Sequence, residues 1–98
     1  MYLESRSDQD ALLAAERALL GGALLDEWNC ARLLLACAAS DFADSRHRLI
    51  ARAIASLAQS GARVAYSTVC ARLDAERAPV SREYIRCCLR EALHAVAV

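Results

Sequence analysis

The sequence predicts an all-α fold, a compact bundle of about five helices. Three observations predict it. Apolar residues recur at the 3.6-residue spacing of a helix along most of the chain. Breakers are scarce, with three Gly and one Pro. No segment alternates apolar and polar residues as a half-buried strand does.

The first helix is expected from about Asp10 to Leu25, behind a flexible segment over residues 1–9. Asp8 and Asp10 are its candidate caps, because acid suits a helix N-terminus. Leu12, Ala15, Leu19, Leu20, Ala23 and Leu24 are expected to form one buried stripe. Gly21-Gly22 sits inside this helix at an intrinsic cost of about 1 kcal/mol per Gly relative to Ala. A helix tolerates that cost where another backbone approaches closely.

The second helix is expected from about Glu27 to Ala38, with Cys30, Leu33, Leu34 and Cys37 on one face. Ser40-Asp41-Phe42 breaks the pattern. A third helix follows from roughly Ala43 to Gln59. There His47, Ile50, Ala53, Ile54 and Leu57 face inward, and Arg48 and Arg52 face solvent. Ser60-Gly61 is its stop signal. After an extended link, Ser67 or a neighbour caps a fourth helix carrying Val69, Cys70 and Leu73 and ending near Arg77. Ala78-Pro79 closes it, since Pro disfavours helix in the residue before it. Ser81 caps the fifth helix, whose buried face holds Tyr84, Ile85, Cys88, Leu89 and Leu93. Residues 10–98 read as one domain.

Composition limits the function classes. Hydrophobic residues make up 57% and charged residues 24% of the 98, which is too apolar for a disordered chain. No apolar run approaches the ~18 residues of a membrane span. The N-terminus is acidic and polar and lacks the pattern of a signal peptide, so a cytoplasmic location is expected. Formal net charge is zero. Tight nucleic-acid binding rests on phosphate neutralisation, so direct binding to DNA or RNA is not expected. All twelve basic residues are Arg, a bias that coding preference explains and that also suits interfaces. The five cysteines are odd in number and show no CxxC spacing. They read as free thiols in a reducing compartment.

Several segments together carry a family resemblance. Ala15-Glu16, Leu20-Gly21 and the run to Asp26 resemble the opening helix of the N-terminal domain of DnaB-type replicative helicases. Asp41-Phe42 followed by His47-Arg48 and Ile50 is similar to a later segment of that domain. Ala53-Ile54, Leu57 and Gly61 continue it, and Thr68-Val69 with Leu73 resemble its next helix. Tyr84 and Leu89 match more loosely. The resemblance covers about Asp10 to Leu89. It departs at Ala65, where the family often has an acid, and at Pro79 to Arg82, which lacks a glycine-rich turn. It implies the globular helicase head, without the helical hairpin of the ring collar and without the ATPase domain beyond Val98.

No GxxxxGK[ST] motif occurs, and the absence of Lys removes the P-loop lysine. Glu16 falls within the apolar stripe, so its carboxylate needs a partner. His47, Arg48 or a backbone N–H is expected to supply one and to lock the first helix to the third. A general base at Glu16, tuned by His47, is the functional alternative. His47 reads as a satisfied packing residue. Cys87 and His94 share a helix face, but two ligands do not make a zinc site. Ser40, Ser67, Thr68 and Ser81 read as caps rather than nucleophiles. Arg46, Arg48, Arg52 and Arg72 could line up as a nucleic-acid patch, but Asp41, Asp44 and Asp74 dilute it. Trp28 opens the second helix beside Asp26-Glu27, either covering the helix junction or serving an interface.

These readings make Trp28, Arg48, Arg52, Tyr84 and Arg86 the candidate interface residues, because aromatics and Arg are enriched where proteins meet. Glu16 and His47 are the structural polar pair. No catalytic residue, cofactor or metal is expected. The chain is expected to be a non-catalytic interaction module of DNA replication. Its expected partners are the replicative helicase, its primase or its loader, reached by self-association, including a homodimer, or by mimicry of a helicase head. The alternative is a small DNA-binding regulator, with the fourth and fifth helices posing as a helix-turn-helix.

Overall fold

A computed structural model describes the backbone of residues 2–97 and the side chains of residues 7–95; Met1 and Val98 lie outside the described residues. The helices are α1 (Tyr2–Leu25), α2 (Glu27–Ala36), α3 (Ser45–Gln59), α4 (Tyr66–Ala75) and α5 (Arg82–Ala97), with a 3-10 turn at Ala39–Asp41. No strand occurs among the described residues. The radius of gyration is 13.2 Å, close to the about 13 Å of a 100-residue domain.

α1 starts at Tyr2, not near Asp10. Nothing between them breaks a helix, so Asp8 and Asp10 lie inside α1 instead of capping it. The segment over residues 1–9, expected to be flexible, is thus helical from Tyr2, although the side chains of residues 1–6 lie outside the described residues. α1 also buries a different stripe from the one its leucines suggest. Glu16, Leu20, Ala23 and Leu24 are buried, whereas Leu12 is 47% and Leu19 51% exposed. Ala15 is exposed as well. The apolar surface of α1 is wider than one face, and only the part that meets α5, α2 and α3 is covered.

α1 packs along α5, and at Gly21 the two backbones come close. A Cβ on Gly21 would fall 2.0 Å from the Cys88 carbonyl oxygen, so only glycine fits there. Gly22 meets no such limit, since its nearest neighbour, the Asn29 side chain, is 3.8 Å away. One glycine of the pair therefore answers to close approach. Arg17 on α1 bridges to Glu91 on α5 at 3.1 Å, half shielded from solvent.

Local chemistry sets the helix ends. Asp26 caps α2 by accepting the Asn29 N–H at 2.7 Å. α2 ends at Ala36, short of Ala38, with Cys37 already extended. Asp44 caps α3 by accepting the Arg46 N–H at 2.7 Å. At α4 the cap position is Ala65, and Thr68 does the capping, accepting the Ala65 N–H at 2.9 Å. Ser81 caps α5 as expected, accepting the Tyr84 N–H at 3.1 Å.

Two helices end in the same motif with different residues. After α3, Ala62 N–H donates to Leu57 O and Gly61 N–H to Ala58 O, with Gly61 at φ 76°. After α4, Ala78 N–H donates to Leu73 O and Arg77 N–H to Asp74 O, with Arg77 at φ 54°. Both are Schellman caps, but the second places a side chain in the left-handed region that favours glycine. α4 accordingly stops at Ala75, two residues before Arg77.

The core lies between α3, α4 and α5, with α1 closing one side. Ile50, Ala53, Ile54 and Leu57 fill it from α3, Val69, Cys70 and Leu73 from α4, and Ile85 and Cys88 from α5. Each of these inward positions was expected. Leu93 was expected inside and is 55% exposed. The five cysteines are all free, with Cys30, Cys70 and Cys88 buried. Burial pushes the Cys88 thiol up to about 11.

Candidate protein-interaction surface

One buried polar chain organises the bundle. Glu16 enters from α1 and is 6% exposed. Its Oε2 accepts the Ala43 N–H at 2.8 Å, and its Oε1 lies 2.7 Å from His47 Nδ1. The Asp44 N–H reaches Oε1 at 3.5 Å. His47 is fully buried, and its Nε2 meets the Tyr84 hydroxyl of α5 at 2.5 Å. An ionised carboxylate can only accept, so Nδ1 carries a hydrogen; with the ring neutral, Nε2 accepts from Tyr84. Burial pushes the Glu16 pKa up, but the His47 bond and the two backbone N–H donors outweigh it, and the net shift is downward.

The expected lock is therefore present, with a third member. His47 and backbone N–H groups hold Glu16, and Arg48 does not. The Arg48 Nη1 instead donates to Phe42 O at 2.8 Å and Ala43 O at 3.0 Å. Tyr84 extends the tie to α5, its ring 5.7 Å from the His47 ring and stacked on it. The Arg46 guanidinium covers the other part of that ring, 3.9 Å from its centroid. Burial raises the Tyr84 pKa, opposed by Arg17 and Arg46. Asp44 is held down to about 2, chiefly by its bond to Arg46. Both nitrogens of His47 are engaged, which is the arrangement of a tie joining α1, α3 and α5.

No three His, Cys, Asp or Glu side chains gather as a metal site requires, among the described residues. Nor do the arginines of α3 and α4 form a row of free guanidiniums. Arg46 is bound to Asp44, Arg48 to loop carbonyls, and Arg72 to Ser56. On α5, Arg82 pairs with Asp74 at 2.6 Å.

An unpartnered apolar feature lies on α1 and α2. Trp28 is 73% and Leu35 89% exposed. They stand seven apart on α2, hence on one face. Leu12 and Leu19 repeat that spacing on α1. Between the helices runs a groove of about 300 Å³, lined by Ala18, Leu19, Gly22 and Leu25 of α1 and by Arg32, Leu33 and Ala36 of α2. A second groove, of about 350 Å³, lies between α2 and α3 beside Leu34, Phe42 and Ala55. Leu33-Leu34-Leu35 could have revealed this surface, since three successive residues span about 200° of a helix and cannot share one face.

A family model described as "DnaB-like helicase N terminal domain" matches residues 8–96. The chain belongs to that family. Among solved structures, the crystal structure of the N-terminal domain of DnaB helicase from Mycobacterium tuberculosis is similar, with a TM-score of 0.75 and 30% sequence identity. The match covers 81% of this chain and 57% of that one, so the chain spans little more than half of its structural relative. Among curated proteins no match was found. As a DnaB-like N-terminal domain, the chain has a role related to replicative helicases, and among the described residues no helix is long and apolar enough to cross a membrane.

The candidate interface residues of this DnaB-like domain are spread over three helices. Trp28 stands on α2, Arg48 and Arg52 on α3, and Tyr84 and Arg86 on α5. Tyr84 is half-buried and turned to His47, while Arg86 lies two residues on and faces the Tyr66 ring, 5.8 Å from its centroid. Arg48 is half-buried and committed to the loop before α3. Trp28 and Arg52 are exposed.

Proposed function

We propose that this domain is a non-catalytic protein-interaction module of the replication machinery. It binds the replicative helicase, its primase or its loader, either by joining other helicase heads or by standing in for one, and it acts in the cytoplasm. The observation that carries this reading is the exposed apolar face of α1 and α2, with Trp28 and Leu35 most open, on a domain of the helicase-head family. Apolar surface concentrated in this way marks interaction sites, and a tryptophan there is a favoured anchor. The lack of any lysine supports a role without a nucleotide motor on this segment.

Capture experiments test it. The purified domain, immobilised, is exposed separately to the purified replicative helicase and to the primase of its host, and its own mass is measured by light scattering. Retention of the helicase or primase supports the reading. A monomer that retains neither contradicts it.

A further inference from the structure

The groove between α1 and α2 has a specific chemical character. Its walls are apolar, supplied by Ala18, Leu19, Leu25 and Leu33. Arg32 is the one charged residue lining it, and Arg32 makes no salt bridge or side-chain hydrogen bond among the described residues. The lining contains no carboxylate. Asp26 is engaged with Asn29 at the cap, and Glu27 stands about 140° around α2 from Arg32.

We propose that this groove is the docking site for an amphipathic helix of another protein, one bearing an apolar stripe with a carboxylate at its middle. The shape argument is that two neighbouring helices offer a trough for a third, which seats residues at i, i+3, i+4 and i+7. The groove's about 300 Å³ suits a few leucine-sized side chains. Charge decides the occupant. Arg32 beside apolar walls favours a carboxylate through charge-assisted hydrogen bonds. A second copy of this chain is disfavoured, because a two-fold contact of this face with itself brings Arg32 toward Arg32 with no acid in the lining. Trp28 and Leu35, at i−4 and i+3 from Arg32, extend the apolar contact along the rim of the same face.

This inference rests on the reading of the domain as a protein-binding module. A display library of helix-forming peptides, leucine-rich at heptad positions and with Glu, Gln or Lys allowed at the centre, tests it against wild type and Arg32→Glu. The expected result is enrichment of central Glu on wild type and of central Lys on Arg32→Glu. Exchanging the domains should cost a selected peptide at least about tenfold in affinity. Amide shifts on binding should centre on Gly22 and Arg32. Failure to enrich any peptide, enrichment indifferent to Arg32→Glu, or shifts elsewhere overturn the proposal. So does a concentration-dependent dimer whose shifts map to this groove. If helicase or primase is still captured in those cases, only the groove assignment fails; if neither is captured, the proposed function fails with it.

Discussion

Glu16 Oε1 lies 2.7 Å from Nδ1 of His47, between two side chains that the fold removes almost wholly from water. The same carboxylate holds the Ala43 N–H at the entrance to α3. The pair therefore ties α1 to the loop before α3, and Tyr84 carries the tie on to α5.

Substituting Glu16 separates shape from polarity. Glu16→Gln keeps an acceptor for Ala43 and can donate to Nδ1 once the imidazole changes tautomer, so it should cost only about 1–2 kcal/mol. Glu16→Leu strands the Ala43 N–H and the His47 ring in a dry site and should cost about 3 kcal/mol or more. Urea denaturation checks the order. Equal midpoints for the two variants would remove the tie from the account.

Acid should loosen the domain in a defined window. Glu16 titrates below its ordinary 4.5, and Asp44 is lowered from 3.8 to about 2. Both groups bind protons more weakly in the folded chain. Their stabilisation is complete above the unfolded values and is lost as pH falls through the folded ones. The urea midpoint should therefore hold steady down to about pH 5 and drop between about pH 4.5 and pH 2. Glu16→Gln should flatten part of that slope.

The two adjacent glycines should respond with opposite signs. Gly21→Ala drives a methyl into the Cys88 carbonyl and should cost more than about 2 kcal/mol, or prevent folding, because α1 and α5 must separate. Gly22→Ala meets nothing closer than 3.8 Å and should stabilise by about 0.5–1 kcal/mol. Thermal melts of the two variants read this directly.

The α4 terminus offers a second stabilising change. Arg77 is exposed and holds φ 54°, so Arg77→Gly should raise stability by up to about 1 kcal/mol, less the entropy that glycine adds to the unfolded chain. Gly61→Ala, in the matching position after α3, should lower it by about 1 kcal/mol although nothing crowds the added methyl.

These pairs also show what was legible in the sequence. α3 was clear because its isoleucines and leucine fall on one narrow stripe with polar residues opposite. Gly61 and Ser81 were clear because end signals act within a few residues. α1 was not, because Leu12 and Leu19 offer a second apolar stripe beside Leu20 and Leu24, and only packing decides between them. Glu16 and Gly21 carried the better signal, since a carboxylate or glycine on an apolar helix asks for a specific neighbour. The partner of Glu16 could be narrowed to His47, Arg48 or a backbone N–H, but Tyr84 could not be foreseen 37 residues from His47. The exposed face of α2 was half legible. Trp28 stood out, while Leu35 was hidden in a leucine run.

The most direct measurement is the affinity of the domain for the helicase and primase of its host, with Trp28→Ala/Leu35→Ser beside the wild type. Both changed residues are exposed, so the melting temperature should hold within a few degrees. The account predicts measurable binding of one partner by the wild type and a loss of at least about tenfold in the double variant. Binding that is indifferent to both substitutions, or no binding of either partner by the wild type, would contradict it.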